Sequence, residues 1–253
     1  MNLLKNVELK KKKTSYSEFV TQVEDEQNRM CDQIANIKNF WEVPRQLKQK
    51  VGQDRQFRDF FGDTVISPIE KDEISVLENI RDKFRGLDIF AEEIISKTFH
   101  ITIHDLSSGK RNVKLEEKVK SNEEKCREII DELKNYFEKK PDEAIVKLRS
   151  TRIYPVSNIA LLVGFNPVTD RDYKIMLNLY QLFENVQFLR YAPRFHVTLN
   201  YFQSRSLKHM EIEDFEKVLL ATRDFSMELT LDLKRIEYQH FLNMNHYECK
   251  YKI

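Results

Sequence analysis

Apolar residues recur along much of the chain at spacings of three and four, a pattern that predicts amphipathic helices. The first helix is predicted to run from Ser15, which can form a capping box with Glu18, to Ile37. A short helix is expected between Pro44 and Gly62. Further helices are predicted over residues 72–85, 121–139, 173–183 and 211–222.

Short runs of β-branched and aromatic residues between these helices predict strands. Their ranges are 64–69, 98–104, 144–154, 159–165, 194–200, 226–238 and 246–251. The order strand, helix, strand, helix, strand occurs twice, which indicates an internal duplication. We therefore predict an α+β fold of two pseudo-symmetric lobes around a central cleft, each lobe a small antiparallel sheet with flanking helices.

The duplication divides the chain into an extension and two lobes. Residues 1–61 form a basic arm and a helical extension, residues 62–157 the first lobe and residues 158–253 the second. The lysine-rich residues 1–13 are expected to be a solvated tail, with a contact to RNA as the alternative. The apolar stripe of the first helix is expected to pack on the rest of the domain, with a dimer contact as the alternative.

Each predicted lobe carries one copy of a short motif. The copies read Phe-His-Ile-Thr-Ile at residues 99–103 and Phe-His-Val-Thr-Leu at residues 195–199. Because side chains alternate between the two faces of a strand, the histidine, the threonine and the next polar residue should share one face. These residues are His100, Thr102 and His104 in the first copy and His196, Thr198 and Asn200 in the second. A pseudo-twofold axis would bring the two polar stripes face to face across the cleft.

Composition narrows the class of protein. The chain of 253 residues is 41% hydrophobic and 33% charged, which is ordinary for a globular protein with a sizeable core. Its net charge of +1 argues against a broad basic surface for duplex DNA. The three cysteines lack metal-binding spacing, and the isolated glycines offer no loop for nucleotide phosphates. No signal peptide or membrane-spanning run is recognised, so we expect a cytoplasmic protein.

Two imidazoles in one cleft form an acid–base pair, because their ordinary pKa of about 6.5 allows one to be neutral and the other protonated. In-line attack of water at phosphorus needs both partners, one to accept a proton and one to donate it. The hydroxyls of Thr102 and Thr198 can donate to the non-bridging phosphate oxygens. A zinc site of His100, His104 and His196 is a competing interpretation, but four residues of strand span about 13 Å, too far for one ion. Structural histidines without chemistry are the other alternative.

The paired motifs resemble those of the two-histidine phosphoesterase superfamily, which includes the RNA 2′,3′-cyclic phosphodiesterases and the 2′-5′ RNA ligase-like proteins. The resemblance covers about residues 62–253 and implies a two-lobed fold with the catalytic strands facing each other across the cleft. By motif order it implies that His100 donates a proton to the leaving oxygen and that His196 is the base that activates water. It also implies that Thr102 and Thr198 hold the phosphate.

The residues that follow each threonine are expected to set substrate choice, His104 and Asn200 as polar groups and Tyr201 by stacking on a base. We expect a nucleotide or an RNA end as partner, with no metal, no cofactor and no membrane contact. The predicted function is hydrolysis of a 2′,3′-cyclic phosphate or a 2′-5′ phosphodiester. The alternatives are a module that binds such a ligand without turnover and a scaffold that assembles through its N-terminal helix.

Overall fold

The structure, a computed structural model, describes residues 14–36 and 41–253. The predicted basic arm and the predicted helix end at Ile37 lie outside the described residues. The described residues form six α-helices: α1 (Tyr16–Asn36), α2 (Arg45–Lys50), α3 (Lys71–Asp82), α4 (Val113–Lys139), α5 (Asp170–Phe183) and α6 (His209–Ala221). None of these helices is both long and apolar enough to cross a membrane.

Eight strands in the described part of the chain form two four-stranded antiparallel sheets, which confirms the predicted α+β fold. The strands are β1 (Phe61–Pro68), β2 (His100–Gly109), β3 (Ile145–Val156), β4 (Ala160–Pro167), β5 (Phe195–Tyr201), β6 (Glu228–Asp232), β7 (Glu237–Asn243) and β8 (His246–Lys252). The first sheet has the order β2-β1-β7-β8, and the second has the order β5-β4-β3-β6. Each sheet therefore contains one motif strand at its edge, and β2 packs against β5.

The strand pairing divides the chain differently from the predicted boundary at residue 157. β3 belongs to the sheet of the second lobe because a tight turn folds it back on β4, with Ser157 and Asn158 at positive φ and Ile159 N donating to Val156 O at 2.8 Å. The predicted strand over residues 226–238 is in fact two strands. A 3₁₀ turn (Leu233–Arg235) separates β6, which pairs with β3, from β7, which crosses to pair with β1.

α1 packs its apolar face on the second sheet. The predicted capping box is present, because Ser15 N donates to Glu18 Oε2 at 2.8 Å and Glu18 N donates to Ser15 Oγ at 3.3 Å. The buried ring of Phe19 lies 4.8 Å from the ring of Tyr173 in α5, and the helix contacts β3. The face that one alternative assigned to a dimer contact is therefore used within the chain.

Candidate active site

A cavity of about 300 Å³ lies where β2 faces β5. Both motif histidines and both motif threonines line it: His100, Thr102, His196 and Thr198. The structure thus brings together the four residues that the sequence analysis placed on two facing stripes. Each motif strand is the edge strand of its own sheet, and the two strands contact each other.

The two imidazoles are oriented in the same way. His100 Nδ1 lies 2.7 Å from the carbonyl oxygen of Thr98, and His196 Nδ1 lies 2.9 Å from the carbonyl oxygen of Arg194. A carbonyl oxygen can only accept, so Nδ1 carries the proton in each ring. Nε2 is then the nitrogen left for a substrate, as an acceptor when the ring is neutral and as a donor when it is protonated.

Burial is the main influence on both imidazoles. It lowers the pKa of His100 to about 4, assisted by the neighbouring His196 and opposed by the hydrogen bond to the Thr98 carbonyl and by the charge of Asp105. Burial also lowers the pKa of His196, opposed by its own carbonyl hydrogen bond and by Asp105 and assisted by the charges of Arg194 and Lys50. Both rings are therefore neutral near neutral pH while the cavity holds no anion.

A β-bulge in β2 corrects the prediction for His104. Thr102 pairs with Ile66 and His104 with the adjacent Val65, so Ile103 is an extra residue and the alternation of faces shifts by one. His104 is consequently buried away from the cavity, with its ring 4.8 Å from that of Tyr180 in α5. Asp105 takes the place on the cavity wall that His104 was expected to occupy.

β5 has the same irregularity at the same point. Thr198 pairs with Leu162 and Asn200 with the adjacent Leu161, so Leu199 is the extra residue. Asn200 is buried outside the cavity wall, contrary to its prediction, and Tyr201 lines the cavity instead. Of the three residues expected to set substrate choice, only Tyr201 reaches the cavity.

The helical extension supplies one wall of the cavity. Four side chains of α1 line it: Val23, Glu26, Gln27 and Met30. Gly164, the residue of β4 opposite His196, allows this close approach, because a Cβ there would lie 2.3 Å from Gln27 Nε2. Glu26 Oε1 lies 2.5 Å from Arg194 Nη2, and Gln27 Oε1 accepts a hydrogen bond from Thr151 Oγ1 at 2.7 Å. The extension is thus part of the site.

Three further cavity residues were missed by the sequence analysis. The ring of Tyr247, on β8, lies 5.4 Å from the ring of His100 in an edge-to-face contact. Asp105 Oδ2 accepts a hydrogen bond from Tyr191 at 2.9 Å. Lys50, at the end of α2, places Nζ 3.5 Å from the hydroxyl of Tyr201. No spacing signal connects Tyr247 and Lys50 with the motifs, because long-range strand pairing and helix packing bring them to the cavity. Asp105 lies three residues after Thr102 on β2 and reaches the cavity because of the bulge.

The described part of the chain contains no group of three or more His, Cys, Asp or Glu side chains arranged to hold a metal ion. His104 lies off the cavity wall, so it does not join His100 and His196 in the zinc site weighed as an alternative. Besides the two imidazoles and the two motif hydroxyls, the cavity wall carries two carboxylates, Asp105 and Glu26, and two basic side chains, Lys50 and Arg194.

Comparisons with family models and with curated protein sequences find no match. Among solved structures, the chain is similar to a conserved protein of unknown function from Agrobacterium tumefaciens, with a TM-score of 0.58 and 14% sequence identity. That alignment covers 84% of this chain and 94% of the other. The fold is therefore one that another protein has been shown to adopt.

Two further solved structures align less closely. A protein from Thermus thermophilus has a TM-score of 0.43 and 11% identity, and a protein described as a phosphoesterase has a TM-score of 0.42 and 10% identity. Each alignment covers 76% of this chain and 96% of the other.

Proposed function

We propose that the chain is a phosphodiesterase of the two-histidine type, with His100 and His196 as its acid–base pair. One observation carries the proposal: the two motif histidines line one cavity, each with Nδ1 held by the carbonyl two residues before it. Two imidazoles fixed in this way present Nε2 to the same space, which suits a reaction that needs a base and an acid at once.

The reaction proposed is in-line displacement at phosphorus. Nε2 of His196 takes a proton from water as the water oxygen bonds to phosphorus, and Nε2 of His100 gives its proton to the leaving oxygen as the phosphorus–oxygen bond breaks. The hydroxyls of Thr102 and Thr198 donate hydrogen bonds to the non-bridging oxygens. Opening a 2′,3′-cyclic phosphate in this way gives a phosphate monoester, and a single proton exchange restores the two rings.

The anionic substrate itself assists the protonation of the acid. Burial lowers the pKa of His100 to about 4 in the empty cavity, whereas a phosphate anion beside the ring favours the imidazolium. The pair therefore reaches the state with one charged and one neutral ring when the substrate binds. This coupling links substrate charge to catalysis and favours a phosphodiester over an uncharged ester.

The dimensions and lining of the cavity favour a nucleotide or an RNA end as substrate. A volume of about 300 Å³ is at the small end of the range for ligand sites, which favours a terminal nucleotide over the interior of a chain. Tyr201 and Tyr247 supply ring faces and edges for a base, and Asp105 supplies an acceptor for a sugar hydroxyl. The specific bond, 2′,3′-cyclic or 2′-5′, is the finer part of the proposal.

A substrate panel tests this function. The purified chain is incubated in EDTA with the four 2′,3′-cyclic nucleotides, their 3′,5′-cyclic isomers and a 2′-5′ dinucleotide, and the products are separated by chromatography. We expect turnover of a 2′,3′-cyclic or 2′-5′ substrate that is lost in His100→Ala and His196→Ala. Absence of turnover on every substrate, or turnover that requires added zinc or manganese, would overturn the proposal.

A further inference from the structure

The cavity contains two basic side chains among the described residues, and only one of them is engaged by a carboxylate. Arg194 lies 2.5 Å from Glu26 of α1, so its charge is already compensated within the wall. Lys50 lines the same cavity, and no described carboxylate lies within ion-pair distance of its Nζ. The two cations are therefore not equivalent toward an incoming anion.

The backbone at Lys50 is held firmly in place. Lys50 is the last residue of α2, and the flanking Leu47 and Val51 are both fully buried. The Lys50 carbonyl accepts a hydrogen bond from Arg58 N at 2.8 Å, and Val51 forms a β-bridge with Phe57. Because the chain is fixed on both sides, the lysine side chain extends into the cavity from a defined point.

The surroundings of the ammonium are aromatic. Lys50 Nζ lies 5.1 Å from the ring centroids of both Phe60 and Tyr201, and 3.5 Å from the Tyr201 hydroxyl. Burial lowers the pKa of Lys50, while the charge of Asp105 opposes this from beyond ion-pair distance. Rings and one hydroxyl compensate an ammonium incompletely, so an anion in the cavity is the partner that this charge lacks.

Lys50 also acts on the reacting groups. Its positive charge helps to lower the pKa of His196, which places it within electrostatic reach of that ring. A phosphate held between the two histidines would lie within the same field. A positive charge there would stabilise the negative charge that increases on the non-bridging oxygens during attack at phosphorus.

We infer that Lys50 binds the substrate phosphate, so that the helical extension supplies the positive charge of the active site. This inference rests on the proposed function, because it assumes that the anion in the cavity is the phosphodiester being cleaved. It assigns a role to residues 1–61 that the motif resemblance leaves open. It also gives the two cations different partners: Arg194 pairs with Glu26, and Lys50 pairs with the ligand.

The test compares Lys50→Met with Lys48→Met. Methionine keeps the length of the apolar stem and removes the charge, and the exposed Lys48 lies on the same helix outside the cavity wall. Binding of a nucleoside 2′-monophosphate and of the uncharged nucleoside is measured by calorimetry for both variants and for Lys50→Arg. Losing a charged hydrogen bond should weaken nucleotide binding by Lys50→Met about 10- to 100-fold. Nucleoside binding should not change, and Lys50→Arg should bind the nucleotide more tightly than Lys50→Met.

Folding is monitored in the same variants by thermal unfolding. Lys50→Met removes an incompletely compensated charge, so we expect a Tm at least equal to that of the wild type. Three results would overturn the inference. Lys50→Met could bind the nucleotide as tightly as the wild type does, it could lose nucleotide and nucleoside binding equally, or the wild type could fail to bind the nucleotide. The binding assay needs no turnover, so a wild type that binds the nucleotide through Lys50 but cleaves nothing would refute the proposed function and leave the role of Lys50 supported.

Discussion

The two motif strands, β2 and β5, present the same groups to the cavity as far as the threonine and different groups beyond it. In both strands the histidine is held by the carbonyl two residues before it, and a bulge follows the threonine. After the bulge, β2 presents the carboxylate of Asp105 and β5 presents the phenol of Tyr201. The shared part of the duplication is thus the part that the proposed proton transfers require.

Residues from outside the two motifs give the two histidines different surroundings. His100 lies against Tyr247, whereas the charges of Lys50 and Arg194 act on His196. A symmetric pair has no reason to divide into an acid and a base, and these neighbours break the symmetry. The comparison teaches that a repeated motif can supply two matched imidazoles while the residues around them make their surroundings different.

The largest effect is expected when either histidine is removed. If each ring transfers one proton, His100→Ala and His196→Ala should each lower kcat by on the order of 10² to 10⁴, or about 2.7 to 5.5 kcal/mol of barrier. The double variant should be little slower than either single variant, because the two rings work as a unit. The assay is turnover of the preferred cyclic nucleotide, with the exposed His209→Ala as control. Effects that simply add in the double variant would argue for independent roles.

A smaller effect is expected at the threonines. Thr102→Ala and Thr198→Ala each remove a hydrogen bond to a charged oxygen, which should cost roughly 1.5 to 3 kcal/mol, or about 10- to 100-fold in kcat/KM. Serine at either position keeps the hydroxyl and should recover most of the rate. Steady-state kinetics on the same substrate check both expectations. If serine and alanine are equally slow, the hydroxyl is not the group that matters.

Asp105 and Tyr201, the residues that differ after the bulge, should affect the pH dependence of activity differently. The charge of Asp105 raises the pKa of both histidines, so Asp105→Asn should lower both values. The high-pH limb of kcat/KM, where the acid loses its proton, should then move to lower pH. Tyr201→Phe removes a hydroxyl and no charge, so it should leave that limb in place. A pH profile that moves equally in both variants would show that the difference between the strands is not electrostatic.

The smallest effect on activity is expected at His104. Because of the bulge, the His104 side chain packs against Tyr180 and Phe183. His104→Ala should therefore lower the free energy of unfolding by roughly 1 to 3 kcal/mol. Its kcat should stay near the wild-type value. Chemical denaturation and turnover, measured on one preparation, separate the two effects. A loss of rate as large as that of His100→Ala, with unchanged stability, would contradict the bulged register.

The sequence predicts much of this fold because its strongest signals are local. The helix over α1 and its capping box follow from Ser15, Glu18 and the apolar spacing, and alternation places His100 and His196 on polar faces. The placement of β7 and β8 is not local, since it depends on β7 pairing with β1 across most of the chain. Tyr247 could not be assigned to the site without that pairing.

The bulges show a second limit of sequence reasoning. Polar and apolar residues alternate without a break through residues 98–104, so nothing in the pattern marks Ile103 as an extra residue. The shift depends on the paired strand β1 and on α5, against which His104 packs. Lys50 was missed for a related reason, because a lysine in a short helix of mostly polar residues has the pattern of an ordinary exposed side chain.

The most direct test of the central claim is the pH dependence of kcat/KM, measured in EDTA for the wild type and for each single histidine variant. If one ring must be neutral and the other protonated, the plot of kcat/KM against pH is bell-shaped. Because burial lowers the pKa of both histidines, the maximum of kcat/KM should lie below the ordinary imidazole pKa of about 6.5. The maximum of kcat should lie at higher pH, because the bound anion favours the imidazolium. His100→Ala and His196→Ala should each lose one limb. A bell that keeps both limbs in both variants would contradict the account.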